Sequence, residues 1–143
     1  MLTSLYLPIA ALMCLTLAVW LLMYWRRLSY IYRQRISPQQ LASFEKIQQL
    51  LPESVNLPAH NFRNLFELPI LFYALAIAIE LLAMNNPFYL VTAWLFVIGR
   101  FLHSGVQCSY NQVTHRFLLY ILSSIALWAM LVYWLVELLI FQV

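Results

Sequence analysis

Three stripes of polar residues interrupt an otherwise apolar chain, and their residue types could do chemistry together. His60, Asn64 and Glu67 stand at i, i+4 and i+7, with Arg63 beside Asn64. On a continuous helix these first three share one face. Arg100, His103 and Gln107 follow at i, i+3 and i+7, then Arg116 and Tyr120 at i and i+4. Arginine grips a carboxylate through two parallel hydrogen bonds, and amides add donors and acceptors. Brought to one depth, these groups predict a cationic, hydrogen-bonding pocket for a small carboxylate-bearing anion. A second, lipophilic ligand could enter through the surrounding solvent.

That solvent must be lipid. Of 143 residues, 64% are hydrophobic and 9% charged, with a mean hydropathy of +0.80. A soluble domain is nearer half apolar and a quarter charged. Four apolar runs, at about 5–25, 62–84, 88–107 and 117–141, are each long enough at 1.5 Å per residue to cross about 30 Å of hydrocarbon. No run alternates like a barrel strand. The expected fold is therefore an all-α membrane protein, a single domain over residues 1–143 built as a four-transmembrane-helix bundle. The first run, about 21 residues without a charge, is too long for the apolar core of a secretory leader.

The basic residues predict the orientation. Arg26, Arg27, Arg33, Arg35, Lys46 and Arg63 fall in or beside the first connection, and Arg100 and Arg116 flank the third. The positive-inside rule puts both connections in the cytosol and both termini outside. Topology explains the excess of positive charge, so nucleic acid is not an expected partner; membrane lipid is. Within the first connection, Ser37, Pro38 and Gln40 read as a helix start. Leu41, Phe44, Ile47 and Leu51 then recur at near-helical spacing. They predict an amphipathic segment over about 38–51, lying at the cytosolic interface or packed on the bundle's end.

Other polar residues carry less. Two glycines exclude a glycine-rich phosphate loop, and two cysteines, Cys14 and Cys108, expected reduced, make neither a disulfide framework nor a metal site. No two histidines share a helix face with a carboxylate at ligand spacing, so no metal is expected. Glu80 and Glu137 read as interfacial residues reached by water at the outer ends. For the stripes themselves two readings stand. Glu67 and Arg100 form either a structural ion pair or part of a ligand site. Arg63 and Arg116 are either snorkelling anchors or members of that site. Asn61 could start the second span, which would put His60 just outside it. An ion conductor is the weakest alternative, because the charges cluster at one end and do not thread the bilayer.

The pattern resembles a known family. Asn-x-x-Glu (Asn64, Glu67) opens the second span, and Gly-Arg-x-x-His (Gly99, Arg100, His103) lies in the third. An arginine follows sixteen residues after Arg100, with a tyrosine four further on (Arg116, Tyr120). With four short spans and a long first connection, this is similar to the MAPEG family, the membrane-associated proteins of eicosanoid and glutathione metabolism. The spacings are nearest its microsomal prostaglandin E synthase branch. The resemblance implies a homotrimer that binds glutathione between subunits on the cytosolic side. Asn64, Glu67 and Arg100 would hold the tripeptide, with Tyr120, His103, Arg63 and His60 nearby. Arg116 would stabilise the thiolate as the catalytic residue, since a guanidinium favours the ionised, nucleophilic sulfur.

The implied function is a glutathione-dependent transferase or peroxidase for a lipophilic small molecule, in a bacterial inner membrane. Two departures qualify it. His60 stands where the family often has arginine, and Gln107 where it often has tyrosine. They favour the alternative of a non-catalytic lipid-binding or scaffold protein of the same fold, one subunit of a larger membrane complex. The family contains such a binder, its lipoxygenase-activating member.

Overall fold

The computed structural model describes residues 4–141, with the side chains of residues 38, 44, 48 and 141 outside the description. The described chain is all-helical, and no strand forms among these residues. Six helices occur in order: α1 (Tyr6–Gln34), α2 (Phe44–Leu50), α3 (Glu53–Asn64), α4 (Leu68–Leu81), α5 (Pro87–Cys108) and α6 (Val113–Phe141). Counting α3 and α4 together as one interrupted helix, Glu53–Leu81, there are four helices long and apolar enough to cross a membrane. Their outward faces carry large apolar side chains such as Leu7, Leu17, Ile70, Leu95, Val132 and Leu139. Such a surface is stable only against lipid.

The helices meet through small and aromatic residues. Ala76, Ala93 and Ala126 are buried, as are Phe72, Phe96, Leu127 and Met130. Phe72 and Phe96 stack with centroids 5.0 Å apart. Without a hydrophobic driving force between helices in lipid, close packing at small residues holds such bundles together. The tightest point is Gly99. A β-carbon there would lie 2.7 Å from Ser123 Cβ on α6. This approach presses the next turn of α5 against α6.

The first helix runs well past the span expected over 5–25. Arg26 and Arg27 do not end it, because both find partners inside the protein. Arg26 Nη1 donates to Ser54 O at 3.1 Å and Nη2 to Cys108 O at 2.8 Å. Arg27 Nη2 donates to Asn56 Oδ1 at 3.3 Å. Both carbonyls need those donors. Ser54 O lies four residues before Pro58, which has no N–H to return, and Cys108 O ends α5. Arg35, in the left-handed conformation at φ 52°, ends α1.

The segment over 38–51 is two pieces instead of one helix: a 3₁₀ turn, Pro38–Leu41, and α2. Gln40 Oε1 accepts from Ser37 N at 3.1 Å, as the start signal predicted. Ser43 then begins a second helix. It is extended, and its hydroxyl accepts from Lys46 N at 3.3 Å. Leu51 is also extended, as the residue before Pro52 tends to be. The Phe44 side chain, expected on the apolar face, lies outside the described residues.

Glu80 and Glu137, at the end of the bundle opposite Arg26, are half-buried and partnered. Glu80 accepts from the Leu5 N–H. Glu137 accepts from Tyr89 Oη at 2.6 Å and Asn86 Nδ2 at 3.4 Å. Asn86 also caps α5, its Oδ1 accepting from Phe88 N at 2.9 Å. These carboxylates bind the helix ends together, so they are more than water-facing interfacial residues.

Candidate functional site

The second spanning helix breaks where the first polar stripe should have been continuous. Pro69 lacks an N–H, so Leu65 O gets no helical bond from it. Glu67 adopts φ −101°, ψ −105°, outside the helical region. Residues 65–67 therefore separate α3 from α4. The expected face shared by His60, Asn64 and Glu67 is lost. His60 and Asn64 stay together on α3, while Glu67 turns outward and is exposed.

Arg100 is fully buried beside this break. Its Nη2 donates to Asn64 O at 3.0 Å, a carbonyl at the end of α3 whose backbone partner is a long 3.4 Å bond from Glu67 N. The Glu67 carboxylate is close enough to act on Arg100 electrostatically, but the hydrogen-bond partner is the Asn64 backbone. The guanidinium also lies over the Tyr120 ring, 5.3 Å from its centroid. Its Nε and Nη1 are buried without a hydrogen-bond partner among the described residues.

In front of Arg100, a cleft of about 470 Å³ opens among α3, α5 and α6. His60, Asn64, His103, Gln107, Arg116 and Tyr120 line it, with Phe117 supplying apolar wall. Its volume falls in the usual range for small-molecule sites, about 300–1,000 Å³. Five of the eight residues singled out from the sequence thus meet at one cleft. Arg100 stands behind its wall. Arg63 and Glu67 are exposed and do not line it.

The cleft's polar groups are tied to one another. Asn64 Nδ2 donates to Gln107 Oε1 at 3.0 Å. The same oxygen lies 3.0 Å from His103 Nε2, and His103 Nδ1 lies 2.9 Å from Arg116 O. Gln107, read from the sequence as a missing phenol, is the hub that fixes Asn64 and His103. Its spacing of four from His103 was the signal, since it puts both on one face. Arg116 Nη1 donates to Asn111 Oδ1 at 2.8 Å, in the turn before α6. That bond orients the guanidinium and leaves other N–H groups for a ligand.

A second buried cluster below the cleft was not visible from the sequence. Ser104 Oγ donates to Asn61 Oδ1 at 3.2 Å, and Asn61 Nδ2 to Cys108 Sγ at 3.5 Å. Asn61 is fully buried inside α3, so it packs α3 on α5 and does not start a helix. His115 lies outside the cleft, with Nδ1 3.1 Å from Tyr110 Oη. Among the described residues, no three His, Cys, Asp or Glu side chains gather as a metal site would require.

Comparison with curated proteins and with solved structures finds no match to either. The MAPEG family model, however, matches residues 5–136, from the start of the first spanning helix almost to the end of the fourth. The residues of the polar cleft and the interrupted second helix fall within that match, and the chain belongs to the MAPEG family.

Proposed function

We propose that this protein is a glutathione-dependent transferase or peroxidase acting on a lipophilic substrate at the cytosolic side of the bilayer. The observation that carries this is a cleft in which Arg116 and Tyr120 face Asn64 and His60, backed by the buried Arg100 with two unpartnered nitrogens, Nε and Nη1. A buried guanidinium with free donors is costly unless an anion completes it. A tripeptide with two carboxylates suits such a site. Asn64 orients the ligand, a shift of the wall that covers Arg100 brings its free donors to a carboxylate, and the aromatic rings of Phe117 and Tyr120 exclude water. Arg116, held by Asn111, stabilises negative charge on sulfur. When bound, glutathione would supply that sulfur: it would either form a C–S bond as the electrophile's leaving group departs, or attack a hydroperoxide so that the O–O bond breaks, the alcohol leaves and the sulfur is oxidised to a sulfenate.

The same reading makes the protein a homotrimer. Glu67 lies exposed between Phe66 and Ile70, which are 52% and 53% exposed. A carboxylate in such apolar surroundings needs cover, and a neighbouring subunit provides it. Isothermal titration of glutathione into detergent-purified protein, with Arg116→Ala beside it, tests the site. Absence of binding at millimolar glutathione sinks the proposal.

A second reading is a non-catalytic lipid-binding or scaffold protein. The Gln107 bonds favour it, because Asn64 and His103 already satisfy each other through that amide. His60 favours it as well, since an imidazole offers the cleft no bidentate fork for a carboxylate. Native mass spectrometry showing a retained lipid or partner subunit, without turnover of a model electrophile, supports this reading. Rapid conjugation of that electrophile rejects it.

A further inference from the structure

We infer that a second groove, at the basic end of α1, binds the phosphate of an anionic phospholipid. The groove has a volume of about 450 Å³ and lies between α1, the start of α3 and the residue after α5. Arg26, Ser29, Tyr30 and Arg33 line it from one face of α1, and Ser54 and Ser109 from the other side. It shares no residue with the cleft around Arg116.

Its chemistry selects an anion. Two arginines and three serine hydroxyls line it, and no carboxylate does among the described residues. Arg26 is fixed by its bonds to Ser54 O and Cys108 O. Those use two of its five N–H groups, and the rest stay on a fork already held in place. Arg33 stands two helical turns on, so the two guanidinium groups bracket the Ser29 and Tyr30 hydroxyls. A phosphate accepts from several such donors at once.

Depth selects the lipid form of that phosphate. The apolar run before Arg26 is about 21 residues, or roughly 31 Å at 1.5 Å each, which is the hydrocarbon thickness. Arg26 therefore stands at headgroup level. Trp25, 67% exposed, lines the mouth of the groove. One turn nearer the bilayer centre, Trp20 and Tyr24 pair at 4.7 Å, an aromatic surface suited to the glycerol and upper acyl region. A lipid seated here would touch α1, α3 and the end of α5 together, and so brace the basic end of the bundle.

The test is native mass spectrometry of the detergent-purified full chain. It is titrated separately with phosphatidylglycerol, phosphatidylcholine, sn-glycerol 3-phosphate and inorganic phosphate. Phosphatidylglycerol is expected to bind well above phosphatidylcholine. Arg33→Gln should weaken it about five-fold, the contribution of one arginine near a lipid surface. Arg26→Lys, which keeps the charge and loses the fork, should weaken it as well. Arg35→Gln removes the same charge outside the groove and should leave it unchanged. Equal loss in Arg35→Gln, or no preference for phosphatidylglycerol, overturns the site. Glycerol phosphate or inorganic phosphate binding as tightly as the lipid overturns the lipid assignment.

Discussion

Arg100 Nη2 donates to the backbone carbonyl of Asn64, 3.0 Å away, at the residue where α3 stops. Arg26 does the same for Ser54 O. In both places a nearby proline, Pro69 or Pro58, removes an N–H from the helical ladder. An arginine from another helix supplies donors to the weakened stretch. Irregular backbone at membrane depth survives only where protein groups satisfy it. The break that exposes Glu67 and the buried arginine beside it are therefore one structural unit. That unit forms the back of the polar cleft.

Arg100→Met separates the arginine's two roles. The substitution loses the bond to Asn64 O and the contact with Tyr120. It also removes two buried, unpartnered nitrogen donors, Nε and Nη1, each costing about 1–3 kcal/mol. These effects oppose each other, so the thermal midpoint in detergent should move by only about 5 °C or less. Glutathione binding should disappear. A fall of more than about 10 °C with binding intact would make Arg100 a clamp alone.

The two glycines should respond in opposite ways. Gly99→Ala places a methyl 2.7 Å from Ser123 Cβ, and overpacking of this kind costs about 1–3 kcal/mol. It also pushes α5 from α6 and loosens Arg100 from Tyr120. Gly105, whose added Cβ meets nothing within 4 Å, is a matched control. Gly105→Ala should be neutral or stabilising by up to about 1 kcal/mol through helix propensity. Thermal unfolding of both variants in one detergent checks the contrast. Equal destabilisation would deny the close approach at Gly99.

Much of the fold was legible because lipid imposes simple rules on composition and length. Four apolar runs implied four spanning helices, and the family pattern at Asn64, Arg100, Arg116 and Tyr120 was visible in spacing alone. What was not legible depends on partners far along the chain. The first apolar run stops just before Arg26 and Arg27, yet Ser54, Asn56 and Cys108 absorb them and α1 continues. A periodicity argument assumes an unbroken helix, so it carried Glu67 onto the face of Asn64. Pro69 undoes that assumption. Gln107 was judged by what it replaces, and its actual role lies in bonds to Asn64 and His103.

Arg116 should reveal itself in the pH dependence of catalysis. A cation beside sulfur favours thiolate, so the wild-type rate should rise with pH through a midpoint below the ordinary thiol value of about 8.5. Replacing Arg116 with Gln removes that cation, and the midpoint should move up by about one unit or more. The deficit would then be about ten-fold or more at pH 7 and mostly recovered near pH 9. Arg116→Lys should fall between. A deficit of the same size at every pH would instead assign Arg116 to positioning the substrate.

His60 decides between the enzyme and the binder most directly. It lines the cleft with Asn64 and Arg116, at the position where the resemblance read from the sequence expects arginine. An imidazole ring lacks the planar fork of parallel N–H donors, so it cannot clamp a carboxylate as a guanidinium does. His60→Arg should therefore raise glutathione affinity, by about ten-fold if the new fork makes one charge-assisted pair worth about 1.4 kcal/mol. His60 is only half-buried, so the longer side chain can reach solvent in the free protein and need not disturb packing. Titration of wild type and His60→Arg under one set of conditions measures the difference. Stronger binding with matching gain in turnover supports the glutathione enzyme. Unchanged affinity with a correctly folded variant would mean that the cleft is shaped for a ligand without carboxylates, and would favour the lipid binder.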